Sequence, residues 1–416
     1  MAPPGVDTTG GILDMAGYGA SISVNSPNGG VTPAMNWDVG WTNVPHPPIF
    51  DPAIYNGGNA NTDAGNADRW PESYIWQLDV QKSFARDYIV NVGYVGQSSH
   101  HVPAGLNLPD QVDPKYLALG SLLTASISDP AVVAAGFKPP YPGFTGTLAQ
   151  ALKPYPQYYS INILADHPGN SSYNALLMKV EKRFANGLQF LAAFTASKTI
   201  TNAPMNACGA PGPQDTFNRG VEKALAPYDI PRSLDVSATY MLPWGPGRPY
   251  LNHGYASHIL GGWAVAGILE YTSGTPIVVG APNTLPIANG RLGSDYLGGQ
   301  ISKGVSRGDT VIANGLSGQP GTVTLNRAAF GFAAPFTFGN TYILPNVRTL
   351  GFQSENFSLF KRETFRERYQ IELRLDAFNR KVPGGLVTDL TNPAFGQYTG
   401  SIIGPRACQV GFRITC

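Results

Sequence analysis

Two groups of residues have side chains that could bind a metal ion. His100 and His101 are adjacent, and a run of Asn and Asp residues resembles a loose calcium loop. Adjacent residues of an extended chain point to opposite sides, so the two histidines would chelate poorly. The run has neither the spacing nor the closing Glu of an EF-hand. We therefore favour polar surface loops and predict neither a metal site nor a cofactor. The run consists of Asn59, Asn61, Asp63, Asn66 and Asp68.

Three cysteines are the remaining reactive groups, and no catalytic motif accompanies them. Cys408 and Cys416 share one face of a predicted strand, and their eight-residue separation corresponds to roughly 26 Å. A disulfide needs Cα atoms within ~7 Å, so this pair cannot form one in place. Cys208 lies in a predicted outer loop, and we interpret all three as free thiols. Because no nucleophile elbow, P-loop or dinucleotide fingerprint is present, we predict that the chain is not an enzyme.

The composition of the 416 residues excludes several classes of protein. Charged residues make up 13%, about half the usual ~25%, whereas Gly (49) and Pro (36) exceed their usual share. The net charge of +1 provides no basic field for nucleic acid. No run of ~18 apolar residues would form a transmembrane helix, and the first residues do not have the pattern of a signal peptide. The composition therefore favours an all-β protein rich in Gly, Pro and aromatic residues.

Alternation of apolar and polar residues marks the strands that would position functional side chains. Residues 368–378, 233–242 and 408–416 show it most clearly, and six further segments repeat it. Several strands reach the ~9–11 residues that a bilayer crossing needs. In a membrane barrel the apolar face contacts lipid and the polar face lines the lumen. The charged residues predicted to face the lumen are Lys179, Glu181, Arg183, Glu372, Arg374 and Asp376. They would line a solute path or, as we favour, form pairs across strands.

Aromatic residues lie at both ends of the predicted strands. Trp263 and Tyr271 are eight residues apart, which is roughly 26 Å at ~3.3 Å per residue. This spacing matches the ~25 Å apolar band, bordered by aromatic girdles, of an outer-membrane barrel. We predict that Trp263, Tyr271, Tyr240 and Tyr88 belong to these girdles.

Short and long connections alternate along the chain, as the periplasmic turns and outer loops of a barrel do. Short turns are predicted at residues 84–86, at Asn186-Gly187 and at residues 363–365. Asp113 and Asp129 each precede a Pro and predict two short helices within the first long loop.

The alternation predicts about nine crossing strands, with residues 158–165 forming a strand inside a loop. Single-chain bacterial barrels have even strand numbers, and an unpaired strand would leave an open edge in lipid. We therefore predict the C-terminal part of a larger outer-membrane β-barrel over residues 71–416, after an irregular outer-loop segment over residues 1–70.

Eight segments follow one another in a characteristic order along the chain. They are residues 170–176 (NSSYNAL), 180–188 (VEKRFANGL), 222–232 (EKALAPYDIPR), 242–247 (LPWGPG), 260–263 (LGGW), 271–276 (YTSGTP), 357–362 (FSLFKR) and 392–396 (NPAFG). In this order they resemble TonB-dependent receptors of the Oar-like type that is abundant in acidobacteria.

The resemblance implies an outer-membrane barrel of a Gram-negative bacterium, a plug domain in its lumen and a contact with the TonB complex. It further implies uptake of a large or scarce solute, such as an iron chelate or an oligosaccharide. The sequence departs from that pattern because we find no plug or TonB box, and because it ends in Cys416 instead of an aromatic residue.

Two other interpretations stay open at this point. A small passive porin would need a tenth crossing strand, for which residues 275–279 are the best candidate. A soluble or cell-surface β-sandwich that binds carbohydrate would bury the apolar face between two sheets.

Overall fold

The computed structural model describes residues 69–164, 166–203, 212–301, 325–365, 369–381, 385–399 and 407–415, with short pieces at 12–15, 20–23, 31, 35–38, 40–41, 52 and 57–63. The main antiparallel sheet of the described residues contains nine long strands, each of which pairs with the next along the chain. A tenth strand of two residues, Ala224–Leu225, pairs with the outer-loop end of the fourth long strand. The nine predicted strands and the all-β class are thus confirmed. The strands are β1 (Glu72–Phe84), β2 (Tyr88–Val102), β3 (Gly169–Ala185), β4 (Leu188–Thr201), β5 (Arg232–Met241), β6 (Trp263–Thr272), β7 (Gln353–Phe365), β8 (Tyr369–Lys381) and β9 (Ala407–Thr415).

The connections at one end of the sheet are short. Residues 85–87 join β1 to β2, and Asn186 and Gly187 join β3 to β4. Both of these residues are left-handed, with φ of 55° and 80°, which suits the twist of a tight hairpin. The turn predicted at residues 363–365 is wrong. Strand β7 continues to Phe365, which pairs with Tyr369, because the ladder extends beyond the apolar part of the strand.

The two faces of the sheet differ along every strand, because residues paired across strands share a face. One row of cross-strand partners is apolar and contains Val90, Val180, Ala192, Val236 and Leu269. The neighbouring row is mostly polar and contains Asn91, Lys179, Ala193, Asp235 and Glu270. We call these the apolar face and the polar face.

The buried core lies outside the nine strands. Of the buried hydrophobic residues in the described chain, only Ala175 and Ala264 belong to the sheet. The others lie in the long connections at the other end of the sheet, within residues 103–168, 202–231, 273–352 and 385–399, which we call the outer-loop layer. One core cluster joins the third and fourth of these connections through Val279 and Phe395. A second joins the first and third through Val112 and Ile287.

Short helices and strands complete the outer-loop layer. The predicted N-caps are confirmed, since the side chains of Asp113 and Asp129 accept from the backbone N–H groups of Lys115 and Ala131 at 3.0 and 2.8 Å. The helices of the layer are the 3₁₀ segments Pro114–Thr124, Arg219–Glu222 and Arg327–Ala329, with α1 (Pro130–Ala134) and α2 (Leu148–Ala151). Its short strands are Tyr158–Leu164, Ala224–Leu225, Pro276–Val278, Asp295–Tyr296, Phe330–Gly331, Ile343–Arg348, Gly385–Leu386 and Tyr398–Thr399. No described helix is long and apolar enough to span a membrane.

The segments outside the sheet bear on two sequence predictions. Tyr158–Leu164 pairs in parallel with Gly58–Asp63 and lies in a loop, as predicted. The best candidate for a tenth crossing strand, residues 275–279, does not cross with the others, because Pro276–Val278 pairs with Ile343–Arg348 inside the outer-loop layer. Within residues 1–70 the other described strands pair locally: Ile12–Met15 with Ala20–Ser23, and Met35–Asn36 with Gly40–Trp41. The division between residues 1–70 and 71–416 stays a prediction.

The sheet is open in the described chain. Strands β1 and β9 form its two edges, and the described residues supply no further partner for either strand. Because the strands alternate in direction and their number is odd, β1 and β9 run the same way.

Candidate solute path and its outer loops

The six charged residues predicted to face the lumen all lie on the polar face. The structure places Lys179, Glu181 and Arg183 on β3 and the other three on β8, so the two groups are separated by four strands. They are therefore two patches of one surface. Their orientation toward a lumen stays a prediction, because the sheet alone defines a face and no enclosed channel.

The patch on β3 is open to solvent. Lys179 Nζ lies 3.4 Å from Glu181 Oε2, and both side chains are at least one-third exposed. Lys182, one residue further on, was not predicted as functional. It is buried on the apolar face, and its Nζ donates to the carbonyls of Ala185 and Leu188 at 2.9 and 3.1 Å. Lys182 thereby fastens the β3–β4 hairpin.

The patch on β8 is a hydrogen-bonded network. Arg362 on β7 donates from Nε to Glu372 Oε2 at 2.6 Å, which is a pair across strands. Arg374 donates from Nε to Asp376 Oδ1 at 2.7 Å, and the hydroxyl of Ser358 donates to the same oxygen. Of the six residues, only Glu372 forms an ion pair across strands, and its partner Arg362 was not singled out in the sequence. Arg374 and Asp376, like Lys179 and Glu181, pair along one strand.

A cavity of about 600 Å³ lies on the polar face where the strands meet the outer-loop layer. Strands β2 to β6 line it together with Tyr228 and Ile230, and none of the lining side chains is charged. Its lining includes the hydroxyl-bearing side chains of Tyr173, Thr195, Thr199 and Tyr228. The first charged side chains on this face lie one row further from the loops, where Asp235 and Glu270 are neighbours across strands. The cavity therefore presents neutral donors and acceptors.

Two fully buried carboxylates join the connection over residues 202–231 to the one over residues 273–352. Glu222 pairs with Arg291, and its other carboxylate oxygen accepts from the backbone N–H of Gln214 at 2.8 Å. The guanidinium of Arg291 also stacks on the ring of Tyr342, 4.1 Å from its centroid.

Asp229 forms the second of these pairs. It accepts from Arg348 at 2.6 Å and from the backbone N–H of Thr199 at 2.6 Å. The segment 222–232 contains both acids and carries part of the family resemblance. Their arginine partners were missed, because each lies more than 60 residues away and has no local signal.

Two further carboxyl groups of the outer loops are held in low-polarity surroundings. Burial raises the pKa of Asp110, and the opposing charge of Lys153, 3.2 Å away, partly offsets that shift. Burial also raises the pKa of Asp166, whose carboxylate accepts from the backbone N–H of Asn107 at 3.2 Å. Both groups pack loop against loop and do not face the cavity lining.

The four predicted girdle residues all lie on the apolar face. Tyr88, Tyr240 and Trp263 are at the end with the short turns, and Tyr271 is at the end with the outer loops. The hydroxyl of Tyr271 donates to Glu355 Oε1 at 2.9 Å. Aromatic girdles require such residues at both ends of the strands, and these four residues are distributed in that way. Contact of these residues with lipid headgroups stays a prediction.

The groups considered for metal binding have other contacts. His100 shares hydrogen bonds of 3.0 Å with Asn170 and with Ser98. Asn59 and Asn61 accept from Ser160 and Asn162 across the parallel strand pair. The described residues contain no group of three or more His, Cys, Asp or Glu that could hold a metal ion.

The structure describes only one of the three cysteines. Cys408 is exposed on β9 as a free thiol. Cys208 and Cys416, together with Asn66 and Asp68, lie outside the described residues.

Comparison with known proteins identifies the family. Residues 2–409 match the family described as outer membrane beta barrel domain. The chain belongs to this family, and it is a protein of the outer membrane, as predicted. No curated protein matches it.

Two of the solved structures that it is similar to come from Escherichia coli. The outer membrane transporter YddB has 9% identity, with 86% of this chain and 34% of that chain covered and a TM-score of 0.36. The ferric-catecholate import receptor Fiu has 11% identity, coverage of 83% and 40%, and a TM-score of 0.20. The chain thus spans well under half the length of either protein. With TM-scores this low, the activity of neither protein can be assigned to this chain.

Proposed function

We propose that the chain forms part of the barrel wall and the outer-loop layer of a TonB-dependent receptor of the Oar-like type. The receptor would take up a large or scarce solute across the outer membrane. The observation that carries the proposal is the uncharged, hydroxyl-lined cavity on the polar face, directly beneath the outer-loop layer. A solute that descends from the loops would meet these groups before the charged rows. The sequence resemblance supplies the TonB contact and the plug domain of the complete receptor.

The edges of the sheet support a larger barrel. Every residue of β1 is exposed, and so are most residues of β9. An open edge is not tolerated in lipid, because its backbone groups would lack hydrogen bonds. Direct closure of β1 onto β9 would give an odd-numbered barrel with one parallel pair, whereas single-chain bacterial barrels have even strand numbers. We therefore propose that further strands of the receptor pair with both edges.

The lining of the cavity favours one solute class over the other. An iron chelate with a net negative charge would be matched by basic side chains, and the cavity lining has none. Neutral hydroxyl groups match an oligosaccharide, which exchanges hydrogen bonds with hydroxyls and stacks on tyrosine rings. A neutral oligosaccharide is therefore the proposed cargo.

Uptake in cells tests this function. The full receptor gene would be expressed in a Gram-negative host with and without its TonB protein, and import of a fluorescent neutral oligosaccharide and of an iron chelate would be measured. We expect saccharide import only with TonB. Thr195→Val combined with Tyr173→Phe should lower it, whereas Thr239→Val, on the same face near the short turns, should not. Import independent of TonB would indicate a passive porin instead.

The sandwich alternative has no support in this fold. It requires a buried apolar face, yet Leu176 and Leu375, on that face of the inner strands β3 and β8, are 42% and 45% exposed. The described strands include no second sheet that covers them.

A further inference from the structure

The connection between β5 and β6, residues 242–262, differs from the other short turns. It is longer, and it contains the six-residue helix α3 (Tyr255–Leu260). Its large apolar side chains are exposed to an unusual degree, with Tyr255 at 91% and Ile259 at 68%. The exposed residues are Trp244, Tyr250, Leu251, Tyr255, Ile259 and Leu260.

Close contacts and backbone hydrogen bonds hold this connection in place. The N–H groups of Gly245 and Tyr250 donate to the carbonyls of Tyr250 and Pro243 at 3.0 and 3.1 Å. Gly245 and Gly261 approach so closely that a Cβ on Gly261 would lie 2.4 Å from Gly245 Cα. The exposed side chains therefore project from a held backbone, and their exposure is a property of the fold.

The helix is fastened to the apolar face of the sheet. Trp263 donates from Nε1 to the carbonyl of Ile259 at 3.2 Å, and Lys361 Nζ donates to the same carbonyl at 3.2 Å. Trp263 and Lys361 are cross-strand partners on the apolar face. Helix α3 thus continues that face beyond Trp263, the first residue of β6.

We propose that α3 is an interfacial anchor that lies in the headgroup region of the periplasmic leaflet of the outer membrane. The short-turn end of such a barrel is periplasmic, and its apolar face meets lipid. Tyr255 and Ile259 are four residues apart and share one side of the helix, so both enter the leaflet together. A short helix that has an apolar side and lies at the depth of the aromatic girdle is suited to the headgroup region. The occupant of this surface is phospholipid, because the surface is continuous with the membrane-facing side of the sheet.

Site-directed fluorescence tests the anchor. In the full receptor the native cysteines are replaced by Ser, Ile259→Cys is introduced and labelled with an environment-sensitive dye, and the receptor is refolded into phosphatidylethanolamine–phosphatidylglycerol vesicles. We expect blue-shifted emission, quenching by lipids that carry a nitroxide near the headgroup, and shielding from aqueous iodide. Arg86→Cys, in the tight β1–β2 turn, is the matched control and should remain accessible to iodide. Tyr255→Cys provides a second labelled position if the first variant fails to fold.

Two results would overturn the anchor. One is a dye at position 259 that iodide reaches as readily as at position 86. The other is shielding from iodide without quenching by the nitroxide lipids, which would mean that protein covers the helix. Uptake is not part of this experiment, so its outcome is independent of the proposed cargo.

Discussion

The sheet and the outer-loop layer use similar residues in opposite ways. In the outer-loop layer, large apolar side chains such as Phe330 and Val112 are 1% and 0% exposed. On the apolar face of the inner strands, Leu176 and Leu375 are 42% and 45% exposed although their chemistry is similar. The outer-loop layer therefore buries its apolar side chains in its own cores, whereas the described chain leaves the apolar face of the sheet uncovered. In an outer-membrane barrel such a face meets lipid.

Charged groups show the same difference. On the sheet, Lys179 and Glu181 pair while both remain substantially exposed. In the outer-loop layer, Glu222 and Asp229 are buried completely and are satisfied by an arginine and by backbone N–H groups. A buried pair is costly to break, because the charge left behind loses its partner without regaining water. The largest effects of mutation are therefore expected in the outer loops.

The first prediction concerns the pair between Glu222 and Arg291. Glu222→Ala should destabilise the outer-loop layer by about 3–5 kcal/mol, because the charge of Arg291 stays buried without its partner. Hydrogen exchange over residues 212–231 and 285–296 measures the loss. The heat-modifiable gel mobility of the folded sheet should be unchanged.

The control for this pair is an exposed one. Lys115→Ala removes the partner of Asp113, whose pair with Lys115 is open to solvent, and should leave hydrogen exchange nearly unaltered. Equal protection from hydrogen exchange in the Glu222→Ala variant and the wild type would contradict the conclusion that this buried ion pair stabilises the outer-loop layer.

The second prediction separates the two faces of the sheet at one depth. Val236→Arg, in the middle of β5 on the apolar face, should cost about 2–4 kcal/mol in folding into vesicles, as a lipid-facing arginine near the midplane does. Ser237→Arg, its neighbour on the polar face, should cost far less. Urea titration of the full receptor inserted in vesicles measures both variants. An equal loss of folding free energy in the two variants would mean that the apolar face is not the only face in contact with lipid.

The smallest effect is predicted at a helix cap in the outer loops. Asp129→Ala removes the acceptor for the N–H of Ala131 at the start of α1, and should cost about 0.5–2 kcal/mol locally. Faster hydrogen exchange over residues 130–135 would show it. Lys138→Ala, an exposed substitution in the same loop, should leave that segment unchanged. Exchange that is equally fast in both variants would show that the cap contributes nothing.

Much of the sheet could be predicted because its signals are local. Alternation with period two identified all nine strands, and Asn186-Gly187 marked its hairpin through backbone conformations that few residues adopt. The N-caps at Asp113 and Asp129 were found for the same reason. The end of β7 was missed, because pairing with β8 carries the ladder past the residues that alternate.

The candidate site was predicted less completely. The six charged residues share one face, their orientation toward a lumen stays a prediction, and the cavity beneath the outer loops was not foreseen. Its lining comes from five strands and one loop, and no contiguous segment contains enough of it to form a motif.

The sequence by itself determined the strand period, the strand count, the tight hairpin and the helix caps, because each depends on residues close together in the chain. The tertiary structure decided which residues are buried, which charges are clamped and where the cavity lies. Glu222 meets Arg291, 69 residues away, only when two loops fold against each other. A period of two is the same whether the apolar face meets a protein core or lipid. Only the assembled sheet, with that face uncovered and the cores gathered in the outer-loop layer, distinguishes the two.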